Sequence, residues 1–167
     1  VVLLNGFSKA YLMTGWRCGY ICMNSSSRKL DQFREDVPKL ARVRIATNLP
    51  VQIAAVQALR GPQDHIPVMV EKLRKRRDLV VKRLNGMGIQ CRLPRGAFYA
   101  FPRIELGSRW KDDKQFVIEL LNGTGVLTVH GSGFGVSYGS GHFRIVYLPP
   151  EDVLERAMDK LEKFVKS

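Results

Sequence analysis

The pair Gly61-Pro62 constrains this chain more than any other feature of it. Proline lacks a backbone N–H and pushes the residue before it out of the helical region, so a helix cannot run through the pair. Beyond it lies the longest helical pattern in the sequence, predicted over about residues 63–85. Ile66, Met69, Val70, Leu73, Val80 and Leu84 fall on one stripe. Lys72, Arg74, Lys75, Arg76, Lys82 and Arg83 cover much of the rest, as on a solvated face. Gly86-Met87-Gly88 stops the pattern. Gly61-Pro62 is therefore the expected domain boundary, with residues 1–62 on one side and 63–167 on the other.

Before the break, Val1-Val2-Leu3-Leu4 reads as a buried strand, and Cys18 to Met23 as a second apolar stretch. Ser25-Ser26-Ser27 offer N-caps for a helix to about Val43, with Leu30, Phe33, Val37 and Leu40 at helical spacing. Pro38 is expected to kink or divide that helix. Pro50 suits the first turn of another, over about residues 51–59. After the break, strands are predicted at about 97–101, 126–129 and 143–148, with a helix at about 112–122. Pro149-Pro150 opens a final helix whose stripe is Val153, Ala157, Leu161 and Phe164. Helices and strands in alternation, with few hairpin signals, argue an α/β class for the first third and a compact α+β unit after Gly61.

Composition narrows the function classes. At 45% hydrophobic and 25% charged, the 167 residues can build a core. No apolar run approaches the ~20 residues of a membrane-spanning helix. Three cysteines make no disulfide scaffold and suggest a reducing, cytoplasmic compartment. Their spacing shows no zinc pattern, and His65, His130 and His142 lack ligand spacing, so no metal is expected. Lys and Arg number 27 against 15 Asp and Glu, a net charge of +12. Such an excess suits nucleic acid or an anionic ligand. No reading motif accompanies the basic helix, so nucleic acid is not expected as a partner. Gly131-Ser132-Gly133-Phe134-Gly135 leads into another strand, not a helix, so it reads as a flexible closing loop rather than a dinucleotide fingerprint.

Two residues suggest chemistry. Lys9 follows a strand and a small-residue turn, where an amine can meet a carbonyl as a nucleophile. Arg17 stands between Gly15 and Gly19, where backbone can pass close to a ligand and a guanidinium can grip phosphate through paired donors. A nucleophilic lysine with a phosphate-gripping arginine describes a pyridoxal phosphate site.

The run from Asn5 to Tyr20, N-G-F-S-K-A-Y-L-M-T-G-W-R-C-G-Y, resembles the pyridoxal phosphate attachment motif of the class I aminotransferases, of fold-type I. Cys18 stands where that family usually has an aliphatic residue or alanine, a small apolar exchange. Pro94 to Pro102 resembles the family's small-domain strand, and His130 to Gly135 the loop that closes on the substrate. Gly141 to Pro150 resembles the strand whose arginine, here Arg144, clamps the substrate α-carboxylate. With these runs, Ala41 to Gln52 is most similar to the alanine aminotransferases of prokaryotes and archaea.

The resemblance implies Lys9 as the catalytic Schiff-base lysine, Ser8 and Arg17 as phosphate ligands, and Arg144 as the substrate anchor. It implies amino-group transfer between an amino acid, alanine by preference, and 2-oxoglutarate. It also implies a homodimer, with Thr47-Asn48 similar to a segment that reaches into the neighbouring subunit. An acid for the pyridine nitrogen is missing: the first acid in the chain is Asp31, after Lys9. The chain therefore reads as the C-terminal part of a fold-type I enzyme, the end of the large cofactor domain over 1–62 and the small domain over 63–167, inactive alone. An aromatic or aspartate aminotransferase, another fold-type I enzyme, or a non-catalytic basic binding module are the alternatives.

Overall fold

Strand β1 (Val2–Gly6) pairs antiparallel with β2 (Gly19–Met23), Val2 opposite Met23 and Gly6 opposite Gly19. The pairing brings backbone close enough that a Cβ on Gly19 would lie 2.9 Å from the Asn5 carbonyl oxygen. The computed structural model describes residues 1–26, 28–43, 45 and 48–167. They divide into two units, Val1–Pro67 and Val68–Ser167.

In the first unit, the opening residues form the expected strand but not a buried one, Leu4 being 71% exposed. The small core forms elsewhere. Phe7 and Met13, from the loop between β1 and β2, are buried with Ala55 of helix α2 (Leu49–Arg60). Helix α1 (Asp31–Arg42) runs unbroken through Pro38. Proline's fixed φ is itself helical, so it forfeits one hydrogen bond without ending the helix. The N-cap position of α1 is not one of the serines. A 3₁₀ turn, Arg28–Leu30, leads into it, and Leu30 stands at the N-cap without a side-chain bond. Ser27 lies outside the described residues, as does Thr47. Pro50 does occupy the first turn of α2, and Gly61 ends that helix in an extended conformation.

Helix α3 (His65–Gly86) leads into the second unit, where it buries Val80, Val81 and Leu84. Its basic face is only partly a solvated one. Arg83 bonds Glu155 at 2.5 Å, Asp159 at 2.7 Å and Glu162 at 3.2 Å, all on helix α6 (Glu151–Lys166). Arg76 donates to the Leu148 carbonyl and pairs with Glu151, and Arg77 donates to the Pro94 carbonyl. These arginines tie α3 to the elements packed against it. The three-stranded sheet of this unit is antiparallel, with β5 (Phe143–Val146) between β3 (Tyr99–Ala100) and β4 (Val129–His130). The strands are shorter than their apolar runs, because only residues opposite β5 form a ladder.

Helix α4 (Asp113–Thr124) starts at Asp112, whose carboxylate accepts from the Gln115 amide at 2.7 Å. It ends at Gly125 with φ +74°, a left-handed cap that glycine adopts without strain. Helix α6 buries Leu154, Met158 and Leu161, so its inward stripe starts one residue later than the sequence pattern suggests, and Val153 is partly exposed. Between the sheet and the helices, Phe116 packs on Trp110 and Phe143 with ring centroids 5.0 Å away in each case. Phe116 is fully buried. Phe116→Ala is expected to lower stability by about 3–5 kcal/mol, read from denaturant melts.

Candidate active site

The loop joining β1 to β2 carries three of the four residues singled out in the sequence. Its backbone is braced at several points. The Phe7 amide donates to the Cys18 carbonyl at 3.2 Å, and the Tyr11 and Met13 amides both donate to the Phe7 carbonyl at 3.3 Å. Tyr11 Oη donates to Gln63 Oε1 at 3.0 Å, and His65 Nε2 lies 3.2 Å from the Ala10 carbonyl oxygen. The buried side chains of Phe7 and Met13 hold the loop from below, while Lys9 and Arg17 are exposed and Ser8 is half-buried. The bracing residues Tyr11, Gln63 and His65 carry no sequence signal, because their pairing spans more than fifty positions.

Arg17 sits at φ +52°. A non-glycine residue in that region costs about 1–3 kcal/mol and is found where the surrounding structure over-determines it. Here the strand pairing at Gly19 and the Phe7–Cys18 bond fix the backbone on its C-terminal side. Its Nη1 donates to the Thr14 carbonyl at 2.9 Å. One of five guanidinium donors is thus spent on orientation, and the others remain for a ligand. Of its flanking glycines, Gly19 is required by the close approach of Asn5, whereas Gly15 faces open space.

Arg144 belongs to the second unit. On β5 it alternates with Phe143 and Ile145, which are buried, so its side chain leaves the sheet on the other face. Its guanidinium carbon lies 4.6 Å from the ring centre of Tyr99 on β3 and 4.6 Å from that of Phe134. Its Nε is buried and makes no hydrogen bond. The sequence does not reveal either aromatic partner of Arg144, although both lie in runs, F-Y-A-F and G-S-G-F, that it singles out.

Phe134 ends a 3₁₀ turn, Gly131–Phe134, which continues into the short helix α5 (Val136–Gly139). The glycine-rich stretch is therefore folded rather than a loose loop. Gly131 and Gly139 pack backbone to backbone, and a Cβ on Gly139 would overlap the Gly131 carbonyl. Within the turn, the Gly133 amide donates to His130 Nδ1 at 3.2 Å, and Ser132 Oγ lies 3.0 Å from the same nitrogen. The buried carboxylate of Asp113 accepts from the Ser132 amide at 2.7 Å. Burial alone would raise its pKa. The Ser132 amide and hydroxyl, its own backbone amide and nearby His130 outweigh that and hold the carboxyl below the ordinary aspartate range.

Other histidines serve the fold. His142 stacks on Phe101 with ring centres 5.1 Å apart, and its Nδ1 lies 3.0 Å from the Ser140 carbonyl oxygen. Among the described residues, no group of three His, Cys, Asp or Glu side chains could hold a metal ion, and no helix is long and apolar enough to cross a membrane.

Residues 1–161 match the family "Aminotransferase class I and II". The chain belongs to that family. It is 51% identical to an alanine aminotransferase of Pyrococcus furiosus, superposing with a TM-score of 0.93 over 99% of this chain and 42% of that one. It is 40% identical, over 96% of its length, to a probable aspartate/prephenate aminotransferase of Rhizobium leguminosarum bv. phaseoli, and 37% identical, over 98%, to a glutamate-pyruvate aminotransferase of Haemophilus influenzae. The chain spans 40% and 41% of the length of these two relatives. The fold is thus part of the fold-type I aminotransferase architecture.

Class I and II aminotransferases depend on pyridoxal phosphate. The residues present fit that group. An amine, a hydroxyl and a guanidinium come from one braced loop, and the guanidinium is held at a strained φ with donors left over. The orphaned Nε of Arg144 fits a carboxylate in the same way. Because the Phe134 ring is carried by the turn that Gly139 locks, Gly139→Ala is expected to cost about 1–3 kcal/mol of stability, seen as a lower denaturation midpoint.

Proposed function

We propose that this aminotransferase-family chain carries the cofactor lysine, the phosphate ligands and the carboxylate anchor of a transaminase that acts on alanine and 2-oxoglutarate. The loop presenting Ser8, Lys9 and Arg17 is the observation that carries this reading, set in a chain of this family. In the proposal Lys9 holds pyridoxal phosphate through its amine, and Ser8 Oγ and Arg17 hold its phosphate. Bound there, the cofactor supplies an electron sink for the charge left when the substrate Cα–H breaks.

The chain's own residues do the rest. The Arg144 fork pairs with the substrate α-carboxylate and fixes the direction of the Cα–H bond. Tyr99 and Phe134 each lie 4.6 Å from the guanidinium carbon, neutral partners that leave its charge for a carboxylate. Once the substrate amine has displaced it, Lys9 Nζ would take the proton from the donor's Cα and pass it on to the bound cofactor, and in the second half-reaction it would carry a proton the other way, to Cα of the incoming oxo acid. A first substrate leaves as an oxo acid before a second enters, so the kinetics are ping-pong.

The preference for alanine rests on the likeness to the Pyrococcus furiosus enzyme, the 2-oxoglutarate partner on the Haemophilus influenzae relative. The aspartate/prephenate relative supports the second reading, a dicarboxylate donor. The proposal places the small domain after Gly61-Pro62, the active form as a cytoplasmic homodimer, and Asn48 near the neighbouring subunit.

In the complete protein, Lys9→Ala is expected to abolish the cofactor's bound colour and reduce turnover at least about 100-fold, measured with alanine and 2-oxoglutarate. Retained colour and rate would refute Lys9 as the attachment site. Arg144→Lys keeps the charge but loses the fork, and is expected to raise the KM for amino acid about 10- to 100-fold. A panel of amino donors separates alanine from aspartate and aromatic preference.

A further inference from the structure

Asp113 has no need to be where it is for the sake of its helix. Asp112 already caps α4, its carboxylate taking the Gln115 amide at 2.7 Å. Asp113 is nevertheless 1% exposed. A buried carboxylate persists only if its lone pairs are satisfied. A bond from across the fold helps to satisfy them: the Ser132 amide donates to Oδ2 at 2.7 Å, with His130 Nδ1 nearby at 3.8 Å. The segment it grips is the 3₁₀ turn whose last residue is Phe134.

Phe134 itself is 53% exposed, so burial does not place its ring. Yet the Arg144 guanidinium carbon lies 4.6 Å over its ring, the same distance as over that of Tyr99. Tyr99 needs no such help, because it is on β3 and its backbone is paired to Val146 of β5. Phe134 has no strand to hold it. Beyond an edge-on contact with the Phe101 ring at 6.0 Å, its position follows the turn, which is anchored by Asp113 on one side and by the Gly131–Gly139 backbone contact on the other.

We propose that Asp113 is a positioning residue of the carboxylate site: by holding the Ser132 amide it sets Phe134 on Arg144, and so presets the guanidinium before a substrate carboxylate arrives. The proposal rests on Arg144 as the carboxylate anchor. Asp113 touches neither substrate nor cofactor. Its effect falls on affinity for carboxylate substrates, amino acid and oxo acid alike, and not on the proton transfer at Lys9.

The test uses the complete holoprotein with the Asp113→Ala, Asp113→Asn and Phe134→Ala variants. Three quantities are read: KM and kcat for alanine, the dissociation constant of 2-oxoglutarate by calorimetry, and amide hydrogen exchange over residues 131–141. Asp113→Ala is expected to speed exchange in that segment and to weaken alanine and 2-oxoglutarate roughly three- to tenfold, with kcat and bound cofactor colour unchanged. Asp113→Asn keeps an acceptor for the Ser132 amide and is expected to recover part of the loss. Phe134→Ala is expected to weaken both ligands similarly, and adding Asp113→Ala to it to cause little further loss.

Faster exchange with unchanged KM and dissociation constant would overturn the proposal, as would unchanged exchange or fully additive effects of the two variants. A wild-type protein that binds 2-oxoglutarate but transfers no amino group would sink the transaminase reading instead. The binding and exchange measurements would then still decide the role of Asp113.

Discussion

The strand β5 organises the second unit, and its influence comes from the two-residue period of a strand. Phe143 and Ile145 point into the core, where Phe143 packs on Phe116. Arg144, between them, must leave on the opposite face. Burying its neighbours is therefore what orients the arginine. The pairing of β5 with β3 and β4 brings Tyr99 alongside and fixes where the segment after His130 begins. A slip of one residue would exchange the two faces, putting a charge in the core and two apolar side chains outside. Core packing and site geometry are thus a single constraint.

The first unit solves a similar problem with a loop. Strand pairing ends at Gly6 and Gly19, and the residues between them must close without a ladder. They do so on a buried pair, Phe7 and Met13, and on the doubly used Phe7 carbonyl. The cost appears as positive φ at Leu12 and Arg17. Arg17 spends one donor on the Thr14 carbonyl, so the strained backbone and the oriented side chain belong to the same turn.

Much of this is legible in the sequence because it is local. The helix α3, the two ends of α2, and the lysine–arginine spacing in the first loop depend on residues near one another in the chain. Short range also explains two differences between pattern and structure. Pro38 marks a break by residue type, but its φ suits a helix that gives up one bond. The apolar spacing of α6 points to Val153, yet Leu154 faces inward, because the elements that α6 packs against decide its rotation. Long-range pairings leave no mark. Nothing in the sequence ties Asp113 to Ser132, or Arg83 to Glu155, Asp159 and Glu162. The exposure of Val1 to Leu4 has the same origin, since apolar pattern predicts a strand but not whether anything covers it.

The net charge of +12 acquires a structure of its own once the arginines are sorted by partner. Arg83 and Arg76, which tie α3 to the rest of their unit, pair with carboxylates, and their charge is largely spent inside the fold. Arg17 and Arg144 form no ion pair among the described residues. Arg17 is steadied by a backbone carbonyl, Arg144 by two aromatic rings. Neutral partners fix a guanidinium without cancelling its charge. An internal carboxylate in either place would compete with the anions proposed for these two arginines and would have to be displaced. Neutral partners of the same kind also hold Arg109, over Trp110 and Phe164, so they are what the proposed ligand arginines need rather than what identifies them.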